Sequence, residues 1–127
     1  MDYKKSILDL STTQEERIQA AFHLENIADE ESIAAIAKAL ETDPSPIVRH
    51  ECAFSLGETA CPDLASWPLM KAVEQDPSIF VRHEALLALG TLGDTSFIPF
   101  IQKFLQDKDP EIRESAEISL QRLTKSF

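Results

Sequence analysis

Glycine is scarce in this sequence, with three in 127 residues, and tyrosine and tryptophan occur once each. Alternating Val/Ile/Thr-rich segments are missing as well, so helices are favoured over sheet. Cysteine is limited to Cys52 and Cys61, nine residues apart. That is too few for a disulfide framework and matches no metal or redox spacing, which fits a reducing cytoplasm. Basic residues number 12 against 22 acidic ones, giving a net charge of −10. Such a surface repels phosphate backbones and anionic lipid, so neither nucleic acid nor a membrane is an expected partner; a basic protein segment or a cationic small molecule is. No apolar run approaches membrane-spanning length, and the opening MDYKKSILDL has no apolar segment of the secretory kind. Phosphate-binding loops, dinucleotide fingerprints, Ser/His/Asp groupings and cysteine-rich zinc sites are also missing.

What is present is repetition. DPSPIVRHECAFSLGE begins at Asp43, DPSIFVRHEALLALGTLGD at Asp76 and DPEIRESAEISLQRL at Asp109, with 33 residues between successive Asp-Pro pairs. A fainter copy, ERIQAAFHLENIAD, begins at Glu16, so that Arg17, Arg49, Arg82 and Arg113 correspond. Each Asp-Pro reads as a helix start, the aspartate capping free N–H groups and the proline tolerated in the first turn. Amphipathic stretches such as EESIAAIAKALETD and DLASWPLMKAVEQD lie between these helices. The expectation is an all-α, single-domain chain over residues 1–127: a right-handed α-solenoid of four helix pairs, roughly 2–28, 30–60, 62–93 and 94–125. The first helix, near Tyr3–Leu10, is short.

On a wheel of 100° per residue with Val48 at zero, Cys52 and Leu56 fall within about 80° and define the core stripe. The equivalent trios are Val81, Ala85, Leu89 and Ile112, Ala116, Leu120, with Glu16, Ala20, Leu24 in the first repeat. His50 falls at about 200°, beside Gly57, Ala53 and Phe54. His83 falls there in the next repeat, beside Gly90, Leu86 and Leu87. A solvated face should be polar in that sector, as it is in the fourth repeat with Glu114, Glu117 and Gln121. The first repeat places Ile18, Ala21 and Phe22 there, so part of the strip reads as packing against neighbouring helices. Neighbouring helices stack about 8–10 Å apart, so two imidazoles at equivalent positions can lean toward one ion. The glycines would leave room for backbone, oxygen or substrate to approach. One chain supplies two imidazoles and two carboxylates, an incomplete iron or manganese environment that a two-fold partner would complete. The other reading of the same residues is a duplicated repeat with solvated polar side chains on its concave side.

The DPxxxVRxxAxxALGxxGD frame resembles a HEAT-like repeat. The two VRHE motifs, the ALG…GD continuation and the closing ESAEISLQRL resemble one half of deoxyhypusine hydroxylase, the HEAT-repeat di-iron monooxygenase. In that family four His-Glu pairs, two in each half of a longer chain, hold two irons between the halves and act with O2 on a modified lysine of a translation factor. The resemblance implies His50 and His83 on one iron, Glu51 reaching the iron held mainly by the opposite half, and Glu84 as a catalytic carboxylate nearer the substrate amine. Only two His-Glu pairs are present here, so the resemblance implies either a homodimer that restores the site or no complete site. Phycobilisome-lyase-type HEAT-like proteins share the frame without oxygen chemistry. The alternative function is therefore a non-catalytic adaptor or lyase-type scaffold that binds another protein.

The remaining conspicuous residues read as structural. His23 corresponds to Ser55 and Ala88, off the His50/His83 column. Asp43, Asp76 and Asp109 read as caps, and the four arginines as packed stems whose heads pair with repeated acids. Trp67 reads as packing between repeats.

Overall fold

The computed structural model describes residues 1–125; residues 126 and 127, part of the expected domain, lie outside it. Helices run in the order α1 (Tyr3–Leu8), α2 (Gln14–Ile27), α3 (Glu30–Thr42), α4 (Pro46–Glu58), α5 (Pro62–Gln75), α6 (Ile79–Leu92), α7 (Ile98–Gln102) and α8 (Pro110–Thr124). Short 3₁₀ turns at Thr95–Phe97 and Lys103–Gln106 flank α7. There is no strand among the described residues.

Local chemistry sets the starts. The Thr13 hydroxyl accepts from the Glu16 N–H at the head of α2, and Asp29 accepts from the Ser32 N–H at the head of α3. Pro46, Pro62 and Pro110 occupy first turns, where a missing N–H leaves no gap in the helix ladder. Gly93 closes α6 with φ 78°, the left-handed backbone that glycine adopts without penalty.

The even-numbered helices form one layer, with α4 packed on α2 and α6, and α6 on α8. The odd-numbered helices α1, α3 and α5 form the other. This is the stacked-pair arrangement of an α-solenoid. Val48, Cys52, Leu56, Val81, Ala85, Leu89, Ile112 and Ala116 are fully buried between the layers, as are Ala20 and Leu24. The last pair departs from the expected trio: Leu120 is only half-buried, and Leu123 fills the core in its place.

A ladder of ion pairs runs along the stack. Arg17 Nε donates to Asp43 Oδ2 at 2.8 Å, Arg49 Nε to Asp76 Oδ2 at 3.0 Å, and Arg82 Nη2 to Asp107 Oδ2 at 3.2 Å. Each of these aspartates also accepts the N–H two residues on, from Ser45, Ser78 and Asp109, at 2.9 Å. The reading of three Asp-Pro caps therefore needs correcting. Asp43 and Asp76 are carboxylate anchors for the preceding repeat's arginine, and Asp107 is their true counterpart. The helix start at α4 is capped by Ser45, whose hydroxyl accepts the Val48 N–H. Asp109 does act as a cap, accepting the Glu111 N–H at 2.8 Å.

Candidate functional site

The heads of α4 and α6 place the two His-Glu pairs on the face of the even-numbered layer that turns away from the odd-numbered helices. His50 stands between two carboxylates: Nδ1 lies 3.5 Å from Glu51 Oε1 on its own helix, and Nε2 lies 3.5 Å from Glu84 Oε2 on α6. The His50 pKa is raised, chiefly by its hydrogen bond with Glu84 and then by the charges of Glu84 and Glu51, against the opposing effect of burial. A proton is thus favoured on His50, and a cation that took its place between the carboxylates would have to displace it.

His83 holds the equivalent position one helix further on, but turns its other ring nitrogen to the next helix. Its Nδ1 meets the hydroxyl oxygen of Ser115, which occupies on α8 the position that Glu84 has on α6. The Ser115 hydroxyl donates its single proton to the Glu111 carbonyl at 2.7 Å. Ser115 thus occupies Nδ1, and Nε2 is the ring nitrogen of His83 with no partner among the described residues.

The donor types suit iron: imidazole nitrogens at His50 and His83, and carboxylates at Glu51 and Glu84. Their number in one chain does not, because no three His, Cys, Asp or Glu side chains among the described residues converge as a metal cage. The structure joins His50, Glu51 and Glu84 through ion-pair contacts and turns His83 toward α8. Two expectations about the surroundings are overturned. A Cβ at Gly57 would stand 2.8 Å from Ala88 Cβ, and one at Gly90 2.8 Å from Ser119 Oγ. The missing side chains admit the neighbouring helix rather than substrate. Ala53 and Leu86 are fully buried as well. Trp67 is 71% exposed on α5, not packed between repeats. His23 is exposed and stacks on Tyr3 with ring centroids 4.1 Å apart, away from the site.

Sequence reasoning missed a groove beside Glu84. It has a volume of about 320 Å³ and is lined by Phe54, Gly57 and Glu58 of α4, Glu84, Leu87, Ala88 and Thr91 of α6, and Arg122 of α8. Glu58, Thr91 and Arg122 are each ten residues past the leading core residue of their helix, so the repeat alignment alone would have brought them into one column. Further along the ridge, Ser55 donates to Glu25 at 2.7 Å. Burial raises the Glu25 pKa against that bond, helped by the charges of Glu58 and Glu51.

Comparison with known proteins places this geometry in context. A family model described as HEAT repeats matches residues 67–126, and one described as PBS lyase HEAT-like repeat matches residues 16–42. Deoxyhypusine hydroxylase of Dictyostelium discoideum is 38% identical over 120 residues, covering 94% of this chain and 38% of that protein. The Candida albicans protein of the same name is 33% identical, covering 83% and 33%. The structure of human deoxyhypusine hydroxylase in complex with glycerol aligns with a TM-score of 0.89 at 30% identity over 97% of this chain and 42% of that one. The complex of CpcE and CpcF of phycocyanin lyase from Nostoc aligns at 0.71 with 24% identity, a likeness of fold alone. The chain spans less than half the length of the curated relatives described here.

Proposed function

Because the chain is a HEAT-like repeat protein resembling one half of deoxyhypusine hydroxylase, we propose that it pairs with a second copy to form a di-iron hydroxylase acting on a cationic substrate. The observation that carries this reading is the half-site. His50 and His83 sit at equivalent positions on adjacent helices, each oriented by a polar group of the next helix, with two carboxylates at hand and too few donors for one chain to hold a metal.

In a two-fold pair, four histidines and four glutamates face one another. His50, His83, Glu51 and Glu84 would hold the metal, which when bound supplies the activation of O2. The chain's own residues do the rest. Ser115 fixes the His83 ring through Nδ1. Glu84 faces His50 Nε2 and, at the edge of the groove, offers its carboxylate to the ammonium of a substrate. The exposed Ile47 and Phe80, at equivalent positions before the two VRHE motifs, provide apolar surface that a facing copy would cover.

Anaerobic purification with iron analysis and sizing on one sample tests the reading. It expects a dimer with about two irons, from the donor count and two-metal precedent. His83→Ala should abolish iron retention while helical circular dichroism stays near wild type, since His83 is off the core stripe. The second reading is a non-catalytic adaptor. It is favoured by the absence of a three-donor cluster among the described residues, and a metal-free monomer under those conditions would select it.

A further inference from the structure

The groove beside Glu84 also holds Glu58 and Arg122, an electrical asymmetry that the iron reading does not use. At one repeat position the residue is Glu58 on α4, Thr91 on α6 and Arg122 on α8: acid, hydroxyl, guanidinium. Arg122 reaches back over α6, where Nη1 donates to the Leu87 carbonyl at 3.2 Å and to Thr91 Oγ1 at 3.1 Å. It thereby enters the same groove as Glu58 and Glu84. Opposite charges that share a groove normally close on each other. Among the described residues, however, the Arg122 guanidinium bonds only these neutral oxygens. Phe54 and Leu87 make apolar walls, and Gly57 against Ala88 makes a floor without protruding side chains.

We propose that this groove binds a group bearing an ammonium and a carboxylate, the ammonium against Glu58 and Glu84 and the carboxylate against Arg122. The two charges need a separation of roughly one interhelix spacing, about 8–10 Å, joined by an apolar stem that lies on Phe54 and Leu87. Opposite charges set apart along one groove, with Phe54 and Leu87 between them, produce a field along it, and a ligand dipole aligned with that field gains at both ends. A ligand with a cation alone leaves Arg122 facing it with the wrong sign. Arg122 therefore sets specificity against simple amines and diamines. All the lining residues come from one chain, so a metal-free monomer tests the groove; Glu84 is the one residue it shares with the proposed iron site, whereas Glu58 and Arg122 belong to the groove alone.

The test uses the metal-free full chain and calorimetric titration with 6-aminohexanoate, hexylamine, hexanoate and 1,6-diaminohexane. The expected order puts 6-aminohexanoate about tenfold tighter than either single-charge probe, as one charge-assisted contact would give, and the diamine weakest of the amines. Arg122→Gln, checked by circular dichroism for retained fold, should bring 6-aminohexanoate down to the level of hexylamine. Arg122→Lys should restore part of the difference. Glu58→Gln should weaken 6-aminohexanoate and hexylamine alike. A blocked Lys-Gly-Asp peptide run alongside separates sources, the tighter of the two ligands marking a protein or a small molecule as the natural carrier. Equal binding of hexylamine and 6-aminohexanoate, an unchanged ratio in Arg122→Gln, or no binding of any probe at millimolar concentration overturns the proposal.

Discussion

Truncation of the repeated aspartates separates two roles that look alike in the sequence. Asp43→Ala removes three hydrogen bonds, from Arg17 Nε at 2.8 Å, Arg17 Nη2 at 3.3 Å and the Ser45 N–H at 2.9 Å. It also strands a guanidinium: the side chains of Arg17 and Asp43 are 6% and 1% exposed. Breaking a buried pair from one side costs about 3–5 kcal/mol, because the remaining charge stays desolvated without a partner. Asp109→Ala removes a helix cap, worth about 1 kcal/mol. Asp76 and Asp107 should fall between, in the order of their pairs' burial: the side chains are 11% and 6% exposed in Arg49–Asp76 and 21% and 16% exposed in Arg82–Asp107.

Urea denaturation of the four alanine variants, followed by circular dichroism and fitted with a common slope, gives the ranking directly. A domain of this size has a total stability of about 5–15 kcal/mol, so Asp43→Ala should shift its midpoint far below the others. Arg17→Met combined with Asp43→Asn should recover part of the loss, since no bare charge then remains buried. Equal losses at Asp43 and Asp109, within the scatter of about 0.3–0.5 kcal/mol, would show that all three Asp-Pro aspartates are caps and that the ladder contributes nothing.

Other consequences can be checked on the same preparations. Gly57→Ala should destabilise by about 1–3 kcal/mol, because the added methyl meets Ala88 Cβ at 2.8 Å and backbone at 3.0 Å, forcing α4 and α6 apart; a stability unchanged from wild type would mean the two helices slide freely. The His50 pKa is raised above its ordinary 6.5, so its contribution to folding is complete below 6.5 and disappears as pH rises through the folded value. The stability difference between metal-free wild type and His50→Gln should shrink across that window, and Glu84→Gln should lower the NMR titration midpoint of His50. Burial pushes the Cys52 thiol pKa up, whereas Cys61 is only half-buried. A thiol reagent should therefore label one cysteine per native chain and both in denaturant. Trp67→Ala should change stability by less than about 0.5 kcal/mol, and a larger loss would return Trp67 to the packing role the sequence suggested.

The fold was legible because a solenoid writes itself as periodicity: Val48, Val81 and Ile112 mark the same buried point on three helices, and the pattern between them admits little besides helix. The register was less so. Asp-Pro dipeptides recur at 33 residues and invite alignment of Asp109 with Asp43 and Asp76, yet Arg82 and Arg113 are only 31 apart. The arginines carried the true spacing, since Arg17, Arg49 and Arg82 each reach a carboxylate of the next repeat and Arg113 donates to the Asp107 carbonyl as Arg49 does to that of Asp43. The dipeptide did not, since Pro44 and Pro77 precede the caps Ser45 and Ser78 whereas Pro110 opens α8. The site was legible as a column of His and Glu, but a single-helix wheel cannot say what covers a residue off the core stripe. Even-numbered helices here are buried on more than one side. Gly57 and Gly90 accordingly looked like room for substrate and are helix contacts, with Ala53 and Leu86 fully buried as well. The open space lies one turn further on, where Glu58, Thr91 and Arg122 change the sign of one column from helix to helix. An averaged repeat pattern erases such a change, so the column had to be read across repeats, with each residue's departure from its counterparts as the signal.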